Sequence, residues 1–213
     1  LIPSLAPYLL LPVLPLFRSN YPDLELHLRA TQTEQLVHEL VDGKLDALLL
    51  ALPIKHCEIE TMPLFEDRFL LAVPQSQNVS TRVRATRELV EGGRLLLLEE
   101  GHCLRDQALT YCSLQQVNAV NMFGVSSLTT IVEMVSAGLG ITLLPEISLP
   151  VEERGRGIKL MRFVDPEPAR TIGIAWRKSS PRIADFKALA TLALEAGQAT
   201  LMRSQAQFKN RQT

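Results

Sequence analysis

Between Leu24 and Leu52 the spacing of apolar residues changes twice, and that succession constrains the fold more than any other feature of the chain. LELHLRA (24–30) alternates apolar and polar residues, the two-residue period of a strand with one covered face. Thr31 to Thr33 can cap the next stretch, EQLVHELVDG, in which Leu36, Val37, Leu40 and Val41 fall on one helical face and Gly43 closes the turn. LDALLLAL (45–52) is a short, nearly continuous apolar run, as in a buried parallel strand. Upstream, residues 8–20 predict a helix from about Leu11, broken at Pro22-Asp23. The order helix–strand–helix–strand predicts an α/β sheet.

The same design returns downstream. PLFEDRFLLAVP (63–74), RLLLLEE (94–100), ITLLP (141–145) and TIGIAWRK (171–178) read as strands. SSLTTIVEMVSAGLG predicts a helix capped by Ser126 or Ser127, with Leu128, Ile131, Val132, Met134 and Val135 on its apolar face and Gly138 and Gly140 ending it. Residues 181–208 predict a final amphipathic helix or a pair of them. There is no internal repeat and no low-complexity tract.

A chain of 213 residues has room for one domain or two small lobes. Its formal net charge is −1 and no Lys/Arg stripe is present, which argues against a nucleic-acid-binding module. Three cysteines are too few for a secreted disulfide scaffold and point to the reducing cytosol, where a disulfide is regulatory more often than structural. The opening LIPSLAPYLLLPVLPLF is apolar. Its prolines at 3, 7, 12 and 15 argue against a simple membrane-spanning helix, and it lacks the basic region and cleavage site of a signal peptide. With no initiator Met, the chain reads as a fragment cut just before a strand.

EEGHCLRDQALTYCSL (99–114) holds two of the cysteines, Cys103 and Cys112, nine positions apart. Read alone, both are compatible with buried thiols that behave as small hydrophobes. Cys103, however, follows a predicted strand and Gly101, where a helix should begin. First-turn amides favour an anion, and the thiolate is the reactive form of a cysteine. Arg105 adds a positive charge and His102 a hydrogen-bond donor. Asp106 cannot help as an isolated carboxylate; it is expected to orient Arg105 or His102, or to cap the helix. On a continuous helix nine residues rise ~13.5 Å and turn ~900°, so the two side chains lie on opposite faces. A disulfide needs Cα atoms about 4.4–6.8 Å apart, so these cysteines can bridge only after the segment refolds. Cys57 carries no role on this reading, and His27, His38 and His56 show no metal-ligand spacing with the cysteines.

Taken together, YPDLELHL, GKLDALLL and SSLTTIVEMVSAGLGITLLP resemble the effector-binding domain of LysR-type transcriptional regulators over essentially the whole chain. GHCLRDQA with Cys112, PYLL, TQTEQL, GITLLP and EPARTIGI resemble the peroxide-sensing members of that family. The resemblance implies an α/β fold of the type 2 periplasmic-binding-protein kind, two α/β lobes joined by two crossover segments. Lobe I would be residues 1–67 and 172–213; lobe II, residues 68–171, would carry the cysteines. The N-terminal winged helix-turn-helix of the family is absent from this chain. By the same resemblance Cys103 is the peroxidatic and Cys112 the resolving thiol, Ser4 and Thr33 supply hydroxyls, and Arg170 supplies a cation to bind hydrogen peroxide across the interlobe cleft. Ser4 stands where Thr is expected, with the hydroxyl retained. No cofactor or metal is implied. The implied partners are a second copy in a dimer built on helices 33–42 and 127–138, a tetramer in the full-length protein, DNA through the missing domain, RNA polymerase, and glutaredoxin or thioredoxin as reductant, all in the cytoplasm. Three alternatives stay open: a LysR-type domain binding a small organic effector, a thiol peroxidase, and a solute-binding protein of an uptake system. The lack of a thioredoxin-like CxxC or peroxidase motif argues against the enzyme.

Overall fold

The computed structural model describes residues 1–80, 83–112, 125–153 and 155–212, with the backbone alone for residues 112, 211 and 212. The chain forms two compact units, Leu1–Asp67 with Arg170–Arg203 and Arg68–Ala169 with Ser204–Thr213. In each, helices cover antiparallel strands, which is the α/β class expected.

The first unit begins with α1 (Ala6–Asn20). This helix starts earlier than Leu11, because Pro7 falls in the first turn, where its missing N–H costs nothing. Pro12 and Pro15 lie inside the helix and each removes one i→i−4 bond. After α2 (Thr33–Val41), β1 (Ala47–Leu52) pairs with β5 (Ala169–Arg177) from Ala47↔Trp176 to Leu52↔Thr171. That pairing is antiparallel, which corrects the parallel reading of LDALLLAL: a continuous apolar run shows that both faces are covered, not which way the neighbour runs. Ile174 and Trp176 of β5 pack against Phe186 and Ala190 of α7 (Ile183–Gln212), with the Trp176 and Phe186 rings stacked at 5.9 Å. LELHLRA is not a strand. The Leu1 ammonium donates to the Arg29 carbonyl and the Thr31 N–H to the Leu1 carbonyl, so a single residue lies alongside it, and Leu28 stays half exposed. Alternation supplied the right side chains without a ladder to hold them.

In the second unit, the end of β2 (Ile59–Pro74) is central. It pairs antiparallel with β3 (Thr142–Pro145) and with β4 (Ile158–Arg162), and its residues Phe69 to Val73 are buried. Helix α5 (Leu128–Ser136) covers this sheet with Leu128, Ile131, Val132 and Val135, and Gly138 follows in the left-handed region. Ser127 holds the N-cap position without a side-chain cap bond. The short helices α3 (Arg87–Glu91) and α6 (Leu149–Glu152) complete the unit, α6 following a 3-10 turn at Glu146–Ser148. The C-terminal end of α7 belongs here rather than with lobe I: Arg162 lies 5.0 Å over the Phe208 ring, and Gln207 Nε2 donates to Glu153 Oε2 at 2.6 Å.

RLLLLEE buries Leu95, Leu96 and Leu98 but makes one parallel bridge, Leu95↔Ile141, in place of a strand. The reason is local. Leu96 N–H donates to the Ile141 carbonyl, but the Leu96 carbonyl is taken by the Thr142 hydroxyl at 2.8 Å instead of a backbone amide. Gly140 permits the approach, since a Cβ there would stand 2.3 Å from the Arg94 carbonyl oxygen. This buried segment delivers the chain to the cysteines.

Candidate functional site

Past Leu98 the chain turns at Gly101, whose φ of 91° lies in the left-handed region, and enters α4 (Cys103–Cys112). Cys103 is the first residue of the helix and is half-buried with a free thiol. Leu104 and Ala108 anchor the helix in the core of the second unit, and the Tyr111 ring packs edge-on against Phe163 at 5.1 Å. Arg105 Nη1 reaches back to the Leu98 carbonyl at 3.2 Å. His102 is buried, with Nε2 3.7 Å from a Glu99 carboxylate oxygen. Asp106 is exposed, and its carbonyl accepts from the Thr110 hydroxyl at 2.7 Å. The carboxylate beside His102 is therefore Glu99, three residues back, and not Asp106, for which orienting His102 was one of the expected roles. Glu99 was legible only as the end of an apolar run. Cys112 is the last residue of α4; its side chain lies outside the described residues. The helix between the two cysteines is unbroken, so their Cα atoms are separated by a rise of ~13.5 Å.

A second cluster lies in the first unit. Arg170 is buried, and its side chain is held by Asp67 and Ser4. Nε and Nη2 meet Asp67 Oδ2 at 3.0 and 2.9 Å, Nη1 donates to Ser4 Oγ at 2.8 Å, and Nη2 donates to the Ser4 carbonyl at 3.1 Å. Ser4 Oγ thus accepts from a cation, which leaves its own O–H to donate. Asp67 is wholly buried and neutralises the guanidinium. It escaped the sequence reading, although a carboxylate inside the apolar run PLFEDRFLLAVP was a visible signal. Thr33 begins α2, but its hydroxyl does not cap the helix. Its Oγ1 is buried without a hydrogen-bond partner among the described residues, while the neighbouring Thr31 hydroxyl donates to Gln35 Oε1. Ser4 and Arg170 are therefore brought together.

Two other polar groupings occur among the described residues. His56, Cys57 and Glu58 bring one ligand atom each within 4.8 Å of one another. Cys57 and Glu58 are exposed, and Lys178 Nζ donates to the Cys57 carbonyl. A cavity of about 350 Å³ is lined by Arg68, Arg84, Arg162, Glu167 and Phe208 among others. Its arginines already bind Glu167, Arg68 and Arg84 at 3.0 Å each, and no α4 residue lines it. No helix among the described residues is long and apolar enough to cross a membrane.

The model of the family described as LysR substrate binding domain matches residues 1–198. This chain belongs to the LysR substrate-binding-domain family. Among curated LysR-family relatives, it is 39% identical over 190 residues to the DNA-binding transcriptional dual regulator OxyR of Escherichia coli, covering 89% of this chain and 62% of that protein. It is equally identical over 199 residues to a probable hydrogen peroxide-inducible genes activator of Streptomyces viridosporus, covering 92% and 63%. The chain thus spans somewhat over three-fifths of the length of these relatives. Among solved structures it resembles a hydrogen-peroxide-bound cysteine-to-serine mutant of Corynebacterium glutamicum OxyR, with TM-score 0.89 and 33% identity over 97% of this chain and 66% of that one. It also resembles the reduced OxyR regulatory domain of Pseudomonas aeruginosa, with TM-score 0.82 and 34% identity over 91% and 94%. The Escherichia coli relative is named as a transcription regulator.

Proposed function

We propose that this LysR-family chain is the peroxide-sensing domain of a transcription regulator and that Cys103 and Cys112 are its redox pair. One observation carries the reading: a single unbroken helix begins at one cysteine and ends at the other. First-turn amides, which favour a negative charge, surround the Cys103 end. The Cys103 thiolate attacks one oxygen of hydrogen peroxide. An S–O bond forms, the O–O bond breaks, and the second oxygen leaves with the electron pair as hydroxide, which the proton released when the thiol ionised converts to water. The sulfur is oxidised by two electrons to sulfenic acid. The Cys112 thiolate then displaces hydroxide from that sulfur to give the disulfide, so two thiols and one peroxide become one disulfide and two waters.

The leaving oxygen needs donors. The Ser4 hydroxyl, held as an acceptor by Arg170, the Thr33 hydroxyl, which has no partner among the described residues, and the Arg170 guanidinium are proposed for that work, with His102 and Arg105 fixing the start of α4. Because a disulfide cannot span the intact helix, α4 unwinds when it forms, and a chemical event becomes a change of shape. In the regulator this change would be read by a dimer built on α2 and α5, by the tetramer of the longer protein, and by its DNA-binding domain and RNA polymerase. Glutaredoxin or thioredoxin would return the thiols.

The test is intact mass and thiol count before and after one equivalent of hydrogen peroxide, followed by peptide mapping. The reading predicts a loss of two hydrogens and a Cys103–Cys112 crosslink, abolished by Cys103→Ser. Unchanged thiols, together with a thermal shift on adding small organic acids, would make this a LysR domain for an organic effector instead.

A further inference from the structure

The cavity of about 350 Å³ lies wholly within the second unit. Gln205, Phe208 and Lys209 line it from one face of α7, at the spacing that brings helical side chains together. The rest of the lining includes Arg68 of β2, Arg162 of β4, and Arg84 and Glu167 from loops. The Glu167 side chain is only 6% exposed and takes Nη1 of Arg68 and of Arg84 at 3.0 Å each, and Nη1 of Arg162 at 3.5 Å. Arg162 has a second, buried counter-ion in Glu146. Asp165, 3.8 Å from Arg84, is exposed and offsets little. Lys209 is exposed and makes no ion pair with a described residue.

The lining therefore holds more positive charge than its buried carboxylates offset. Cations gathered in this way repel one another, and an anion that enters relieves the repulsion. Donors remain to receive it. A guanidinium carries five N–H groups, and Arg68 and Arg84 engage described residues only through Nη1. Their forks match carboxylate and phosphate oxygens, and Glu167 is a carboxylate already seated among them. A singly charged anion gains little at such a rim against salt. Two negative groups on one small frame engage the arginines and the lysine together. The volume lies at the lower end of ligand pockets, roughly 300–1,000 Å³, the size of a small metabolite. We propose that this cavity binds a small organic polyanion, a di- or tricarboxylate or a phosphate ester, with one negative group on the remaining N–H groups of Arg68 and Arg84 and another on Lys209. The inference does not depend on the peroxide reading, because none of the residues proposed to meet peroxide lines the cavity.

The experiment is isothermal titration of the reduced protein with citrate, with inorganic pyrophosphate and with acetate, at one fixed ionic strength. Citrate, pyrophosphate or both should bind with Kd below about 1 mM, and acetate at least about tenfold more weakly. Binding of citrate alone assigns a carboxylate ligand, binding of pyrophosphate alone a phosphate, and binding of both a site that selects by charge. Lys209→Gln should weaken binding about fivefold, the worth of one exposed ion pair. Because Lys209 holds no other charge, that variant should melt within about 1 °C of the parent when no anion is added. Arg84→Gln should weaken binding at least about tenfold, as it removes hydrogen bonds to a charged group. Lys187→Gln removes an exposed charge of α7 in the first unit and should leave the affinity unchanged. Citrate and pyrophosphate that bind no better than acetate overturn the proposal. So does binding that Lys209→Gln leaves unchanged, or that Lys187→Gln weakens equally, since the anion then sits elsewhere or answers only to net charge.

Discussion

Replacing Asp67 with alanine should destabilise the first unit by an amount the geometry sets. Asp67 and Arg170 are both fully buried, and a single carboxylate oxygen takes two guanidinium N–H groups at 3.0 and 2.9 Å. Removing one partner of such a pair leaves an uncompensated charge and costs about 3–5 kcal/mol. Arg170 would still have neutral acceptors, Ser4 Oγ and the Ser4 carbonyl among them, so the lower end, about 3 kcal/mol, is expected. For a chain of this size that corresponds to a fall of about 6–12 °C in melting temperature. The double variant Asp67→Ala with Arg170→Met removes both charges and should recover most of the loss, giving a coupling above about 2 kcal/mol. Trp176 is the sole tryptophan and is buried in the first unit, so its fluorescence during urea unfolding reads this unit directly. A loss below about 1 kcal/mol, the range of solvent-exposed pairs, or a double variant no better than the single one, would refute the claim that the pair is desolvated.

Three further outcomes follow from the same physics. Gly140→Ala would place a methyl 2.3 Å from the Arg94 carbonyl oxygen and should cost at least about 2 kcal/mol, with the amide of Leu96 losing its hydrogen-exchange protection first. Tyr111→Ala removes the edge-on contact with Phe163 and about 0.5–1.5 kcal/mol of support for α4, so the disulfide-forming step should speed up about two- to tenfold while the first oxidation step is unchanged; rapid-quench thiol counting separates the two. The Arg29 hydrogen bond, the largest cause, holds the Glu39 carboxyl below its ordinary value of 4.5. A depressed folded-state value gives stability that is fully present above 4.5 and lost as pH falls through the folded value. Arg29→Gln should therefore flatten the acid limb of the stability curve, measured by urea midpoints between pH 5 and about 3.

The sequence read most reliably where one period dominated. Leu128, Ile131, Val132 and Val135 form the buried face of α5 as their spacing predicts, and GITLLP and TIGIAWRK are strands. LELHLRA has the right alternation and is no strand, because strand identity needs a partner as well as a pattern. The direction of pairing was illegible for the same reason. At the site, Cys103 at a helix start followed from Gly101 and the preceding apolar run. The joining of Ser4 to Arg170 is a contact between residues 166 positions apart, which no local pattern encodes; only the family resemblance named those residues. Asp67 and Glu99 went unnamed because the first was absorbed into a strand pattern and the second was read as the end of an apolar run, although a charge set in such a run is a sign of a buried partner.

The account turns on α4 unwinding when the two cysteines join. Amide hydrogen exchange across residues 103–112, in the fully reduced protein and after one equivalent of hydrogen peroxide, tests this directly. The reduced form should show helical protection through α4, and the oxidised form should lose it at every amide from Arg105 onward while β2 and β5 keep theirs. A Cys103–Cys112 disulfide that forms with the helical protection of this segment unchanged would contradict the account.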